Sequence, residues 1–176
     1  VGNLISEGNK EKIYSVYQEL LAFRMFVAGF FTISIYMLAD SFIGVWLGGE
    51  YELPHTAVIL ICVQFFMGSV RRVTDQFIFG YGLFYDTWAP LAESAIFIAV
   101  SMTFGALYGL EGVLSGPLIS TFIIIYMWKP WFLFRRGFGY SIIRYGLLFC
   151  GNLAVLAAAA YGAIRLFRLA APYLSA

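Results

Sequence analysis

The chain has 176 residues, of which 61% are apolar and only 12% are Asp, Glu, Lys or Arg, with a formal net charge of +1. About a quarter of an ordinary globular domain is charged, so this composition excludes one, and a net charge so near zero gives no electrostatic case for nucleic acid. The two cysteines, Cys62 and Cys150, both fall inside apolar runs and read as small core residues, with neither a disulfide framework nor a Cys-x-x-Cys metal spacing.

The chain opens with Val1 and a mostly polar stretch of twenty residues, so no secretory signal peptide is visible, and an internal or C-terminal piece of a longer protein is the expectation. Residues 1–19 form a polar prelude. Ser6, Glu7, Gly8 and Asn9 make a turn, and Asn9 is a good helix cap. Ile13, Val16, Tyr17, Leu20 and Leu21 then recur at helical spacing opposite Lys10, Lys12 and Glu19, the pattern of an amphipathic helix lying in a membrane interface.

Five uncharged intervals follow: between Arg24 and Asp40, Glu52 and Arg71, Glu93 and Glu111, Glu111 and Lys129, and Arg144 and Arg165. Roughly 20 apolar residues at 1.5 Å each cross a hydrocarbon layer of about 30 Å, and a soluble helix is seldom uncharged all round for so long. The fold class expected is therefore an all-α, polytopic transmembrane bundle. Its spans are placed at about 20–39, 54–79, 87–107, 111–129 and 145–166, within a bundle over 20–168, and 169–176 is a truncated tail. The short connections between spans two, three and four predict antiparallel neighbours.

With five spans, the prelude, the 80–86 loop and a basic aromatic loop at 129–144 share one side. That side holds Lys10, Lys12, Arg24 where the first span enters the bilayer, Lys129, Arg135, Arg136 and Arg144. The opposite linkers, 40–53 and 107–111, carry Asp40, Glu50, Glu52 and Glu111 and no basic residue, although Arg165 and Arg168 dissent at the far end. The positive-inside rule then puts the N-terminal end in the cytoplasm. Trp46, Tyr51, Tyr81, Tyr85, Trp88, Tyr108, Trp128, Trp131 and Tyr140 cluster at span ends as an aromatic belt. Gly112, Gly116 and Ser120 in span four, and Ala154, Ala158 and Gly162 in span five, are small-residue stripes that let helices approach closely. Pro90 and Pro117 are expected to free a carbonyl each and kink their helices.

Four ionisable residues fall within spans: Arg71, Arg72 and Asp75 in span two and Glu93 in span three. At a bilayer centre each costs about 2.5–3.5 kcal/mol on the insertion scale, against ~0.3–0.6 returned by each Leu, Ile or Phe. They must therefore face protein or water. Gln64, Gly68, Arg71 and Asp75 form one stripe, with Arg72 beside it and Arg71–Asp75 an i,i+4 pair. Two readings stay open: the stripe lines a polar cavity, or Arg71 reaches the inner surface as an anchor. Glu93 either pairs with Arg71 or Arg72 or meets shallow water, and Arg24 reads as an inner-surface snorkeller.

Enzyme chemistry finds little support. The single histidine, His55, follows Pro54 at a span start, where a wet interfacial role is expected. One histidine makes no His-based metal cluster and no Ser-His-Asp set, and Gly80 and Gly82 lack the strand and helix context of a phosphate loop. No cofactor or metal is expected.

Four stretches carry a family resemblance: VGNLISEGNKEKIYSVY at 1–17, FIGVWLGGEY at 42–51, GLFYDTWAPLAESAIFIAVS at 82–101 and YGLEGVLSGPLIS at 108–120. In this order and spacing the chain resembles the C-terminal half of the polysaccharide and lipid-linked oligosaccharide flippases of the multidrug, oligosaccharidyl-lipid, polysaccharide (MOP) exporter superfamily. The resemblance covers most of 1–136. It implies two related bundles of twelve or fourteen helices in all around a central cavity, in a bacterial inner membrane, moving undecaprenyl-diphosphate-linked repeat units for O-antigen or capsule to the periplasmic leaflet by alternating access. It also implies that 1–19 is a cytoplasmic loop and that the partner of this bundle is a missing N-terminal half. The chain departs from relatives at Phe97, where they commonly have Asn, and at Gly116–Pro117, where they often have Gly-Thr; a polar role at those positions is in doubt.

On this resemblance the function expected is lipid-linked oligosaccharide translocation. A diphosphate entering a low-dielectric cavity needs cations, for which Arg71 and Arg72 are the candidates, with Gln64 and Arg24 also lining the cavity; Asp75 and Glu93 would hold those cations and sense an ion gradient. Drug or small-cation export within the same superfamily is the alternative, disfavoured by paired arginines. A membrane-embedded glycan polymerase or transferase is a further alternative, disfavoured by the lack of a substantial polar loop. A purely structural subunit is the last.

Overall fold

The computed structural model describes residues 1–84 and 87–174, with side chains described through Gly162. Tyr85, the side chains of Arg165 and Arg168, and the tail beyond 174 lie outside the described residues, as do the side chains of 169–174. Among the described residues there is no strand: the elements are α1 (Gly2–Ser6), α2 (Lys10–Trp46), a 3-10 turn (Gly49–Tyr51), α3 (His55–Gly80), α4 (Trp88–Thr121), α5 (Lys129–Leu133) and α6 (Ile142–Leu174). Two π-helical segments, Phe122–Trp128 and Phe134–Phe138, flank α5. The protein is an all-α bundle and a multi-pass membrane protein: four helical stretches, Lys10–Trp46, His55–Gly80, Trp88–Phe138 and the part of α6 up to Gly162, are long and apolar enough to cross a membrane.

The helix over α2 starts where the sequence places it. Asn9 sits in extended backbone and its side chain accepts from the Lys12 N–H at 3.1 Å, satisfying one of the free donors of the first turn. With no proline between Lys10 and Trp46, nothing interrupts the 37 residues that follow, about 55 Å of helix. The prelude is therefore not a separate in-plane helix. Ile13, Tyr17, Leu21, Met25 and Ala28 are one continuous buried stripe, and it packs on Val70, Val73, Phe77 and Ile78 of α3 and on Leu133, Phe134 and Phe138. A stripe at this spacing fits lipid or protein equally well; the aromatic side chains of three other segments decide for protein.

The third stretch of helix doubles back on itself. Gly109 has φ 62° and ψ −135°, a conformation open essentially to glycine alone. Trp88 and Trp128 have ring centroids 4.9 Å apart, Thr121 Oγ1 is 3.3 Å from Glu93 Oε1, and Ser101 Oγ is 3.0 Å from the Val113 carbonyl oxygen. As the first residue of these pairs moves back from Gly109 the second moves forward, so 88–108 and 110–138 are the antiparallel arms of a hairpin. The first arm alone is about 31 Å long, so spans three and four of the sequence reading correspond to two rods joined by one residue. Gly112, Gly116 and Ser120 are buried on the second arm, and a Cβ on Gly112 would collide with the Phe104 carbonyl group. That small-residue stripe packs as expected. The one on α6 does not: Ala154 and Ala158 are exposed, and α6 meets α2 through Leu156, whose side chain lies 2.5 Å from where a Cβ on Gly29 would be.

The two prolines behave differently. Pro90 stands in the first turn of α4, where its missing N–H has no partner to lose, so it makes no kink. Pro117 is inside the helix and deprives the Val113 carbonyl of its donor, and the Ser101 hydroxyl from the opposite arm supplies one. The expected basic loop at 129–144 is also shorter than the sequence suggests. Helix continues through Phe138, until Gly139 turns left-handed at φ 74°. Pro130 has no N–H for the Tyr126 carbonyl, and the chain there widens into π geometry, with the Lys129 N–H bonding Ile124 five residues back.

The segments meant to share one side do meet at one end of the bundle. Val1 and Ile5 pack on Gly80, Tyr81 lies against Gly137 and Phe138, and Tyr14 stacks edge-on to Tyr140 at 5.0 Å. Trp46, Tyr51 and Tyr108 are exposed at the far end and Trp88 and Trp131 at this one, as a belt requires, whereas Tyr81 and Tyr140 join the core. Cys62 is buried but Cys150 faces outward.

Candidate functional site

The charges that the sequence places inside spans are gathered between α3 and the hairpin. Helical spacing puts Arg71 and Asp75 on the same face of α3, with Arg71 Nε 3.6 Å from Asp75 Oδ2. Of the two arginines open to Glu93, Arg71 is its partner, at 3.1 Å between Nη1 and Oε1. Glu93 stands on the first hairpin arm and also accepts from Thr121 on the second. Asp75 in turn accepts from Lys129 Nζ at 2.5 Å. The result is a continuous chain, Lys129–Asp75–Arg71–Glu93–Thr121, linking α3 to both arms of the hairpin. Two cations and two carboxylates neutralise each other, and each charge has at least one hydrogen-bonded or ion-paired neighbour, which is the condition under which buried charge is tolerated. Tyr126 adds a further tie, donating to the Met67 carbonyl at 2.9 Å.

Lys129 and Thr121 are the members that sequence reasoning missed. Lys129 reads as the first residue of a cytoplasmic loop, yet it is only 7% exposed. The signal was available: Pro130, Trp131, Phe132, Leu133 and Phe134 continue the apolar run beyond it, so Lys129 interrupts a span rather than ending one.

Arg72, beside the stripe, is exposed and has no ion pair among the described residues. Arg24 is half-buried and equally without a carboxylate. Tyr17 meets Thr74 at 3.2 Å and Tyr36 meets His55 at 3.1 Å, and this antiparallel register sets Arg24 level with Met67 and Gly68, about a turn further along α3 than Arg71. Gln64 lies two turns beyond Arg71 on the same stripe, about 10 Å away, and its amide oxygen is buried with no donor. It takes no part in the chain of ion pairs. His55, exposed and bonded to Tyr36, ties α2 to α3 at the far end, in keeping with its interfacial placement. Among the described residues no three His, Cys, Asp or Glu side chains are grouped so as to hold a metal ion.

The arrangement can do two things chemically. It can hold α3 and the hairpin together through ion pairs, and it leaves Arg24 and Arg72 without a carboxylate partner among the described residues. Comparison with protein-family models, with curated proteins and with solved structures found no match.

Proposed function

We propose that this chain is one bundle of a membrane transporter of the flippase type, which moves an oligosaccharide linked to a polyprenyl diphosphate between the leaflets of a bacterial inner membrane for surface polysaccharide assembly. The observation that carries this reading is the imbalance of charge within the spans. Asp75 and Glu93 are both neutralised by Arg71 and Lys129, while Arg24 and Arg72 have no carboxylate among the described residues. An anionic headgroup supplies the missing countercharge, and guanidinium groups suit phosphate oxygens by shape as well as by charge. The headgroup role therefore passes from the Arg71–Arg72 pair to Arg24 and Arg72, with Arg71 holding the hairpin. An exporter of cations would need the reverse, a carboxylate left without a partner. The motif resemblance of 1–17, 42–51, 82–101 and 108–120 supports the same reading, and the basic residues near the Gly80 end support its placement in the cytoplasm.

The test is the double variant Arg24→Gln/Arg72→Gln, expressed in the cell that makes the polymer. Membrane abundance stays at the parent level, surface polysaccharide is lost, and lipid-linked repeat units accumulate. Normal polymer on the cells would remove these arginines from the reaction.

A further inference from the structure

A second feature, independent of the transport reading, lies on the outside of the hairpin. A groove of about 730 Å³ runs between the second arm and the start of α6, walled by Trp88, Ile123, Met127, Trp128, Trp131 and Tyr145. From Ile123 to Trp131 it extends on the order of 12 Å along the helix axis. We propose that this groove holds an anionic phospholipid of the bilayer, with an acyl chain against Ile123, Met127 and Trp131 and the phosphate on Arg135.

Apolar lining alone would accept any lipid tail, so the headgroup end decides the ligand. The Arg135 guanidinium stands 5.2 Å over the ring of Trp131, which is itself a wall of the groove, so the cation lies next to the groove, one turn past Trp131. Arg135 and Arg136 are both exposed, and neither has an ion pair among the described residues. A guanidinium resting on an indole face keeps its edge N–H groups free, and these bond phosphate oxygens in pairs. Two unneutralised cations at the end of an apolar trough between helices favour a lipid of net negative charge over a zwitterionic one. Trp88 and Trp131 at the same level match the headgroup depth at which such rings settle.

The full chain is purified in a non-ionic detergent and titrated with phosphatidylglycerol or phosphatidylcholine, and bound lipid is counted by native mass spectrometry. Phosphatidylglycerol is retained preferentially. Arg135→Gln weakens it about fivefold, and Arg135→Gln/Arg136→Gln about twentyfold. Lys12→Gln, at a cation already paired with Glu7, leaves retention unchanged. Equal retention of the two lipids by the unaltered chain overturns the proposal without recourse to any variant, as does full retention by the double variant. Preferential uptake of a polyprenyl phosphate over phosphatidylglycerol would assign the groove to a different ligand and equally overturn it. Because Arg135 and Arg136 are not among the cations assigned to transport, loss of lipid retention and loss of polymer are separable outcomes.

Discussion

Asp75 is shared between two cations on different helices: Lys129 Nζ approaches Oδ1 to 2.5 Å while Arg71 Nε sits 3.6 Å from Oδ2. The lysine comes from 54 residues further along the chain, so this contact locks the second hairpin arm to α3. Its energetics are those of charge with little water. The Lys129 and Asp75 side chains are 9% and 18% exposed.

Removing one partner of such a pair leaves the other uncompensated, at a cost of about 3–5 kcal/mol. Lys129→Met should therefore lower the thermal midpoint in detergent markedly. Lys129→Met/Asp75→Leu should recover most of the loss, because both charges are gone together. A double variant as unstable as the single one would show that the ion pair is not what joins these helices.

The reversal at Gly109 gives a second test. A side chain at φ 62°, ψ −135° is strained by about 1–3 kcal/mol, so Gly109→Ala should destabilise the protein by that amount. Gly112→Ala should be worse, since its Cβ meets the Phe104 carbonyl group with no room to relax. Gly151→Ala, which faces open space within α6, should be neutral or stabilising by up to about 1 kcal/mol. Thermal unfolding of the three side by side checks the order.

Ser101 and Pro117 form a compensating pair that a double-mutant cycle can measure. Ser101→Ala strips the Val113 carbonyl of the donor that stands in for the missing Pro117 N–H, a loss of about 1–3 kcal/mol. In a Pro117→Ala background the helix N–H at 117 returns to that carbonyl, so the same serine change should cost well under 1 kcal/mol. Additive effects would mean that the hydroxyl and the proline are unrelated.

Topology is open to direct labelling once Cys62 and Cys150 are replaced by Ser. Single cysteines at Lys12 and Gly139 should react with an impermeant thiol reagent from one compartment, and one at Glu50 from the other. On the orientation proposed above, the first two react from the cytoplasm. Reaction of Glu50→Cys and Lys12→Cys from the same face would break the five-rod arrangement.

The fold was largely legible because apolar length and charge punctuation are strong signals. The five intervals between charges map onto five rods, and the Asn9 cap and the Arg71–Asp75 spacing are read correctly from local sequence. The failures have a common cause. Ile13, Tyr17 and Leu21 repeat at a spacing that a lipid surface and a protein surface satisfy alike, so only the folded chain reveals Phe77 and Phe134 opposite them. Ala154 and Ala158 likewise show that small residues permit close packing without compelling it. Lys129 reads as a loop residue because a single positive charge after an apolar run resembles a stop signal. The partner that makes its burial tolerable, Asp75, is far away in sequence. Which residues of α3 stand level with Arg24 depends on the register between α2 and α3, which no local pattern encodes.

The unbroken length of α2 has a mechanical corollary. A rod of about 55 Å reaches well past a 30 Å hydrocarbon layer, and Tyr17 and Tyr36 clamp it to α3 at two heights. Pivoting such a lever by roughly ten degrees about its midpoint swings each tip by about 5 Å. Whatever grips the Asn9 tip on one face of the bilayer is thereby geared to the Trp46 tip on the other, with no hinge in between to absorb the stroke.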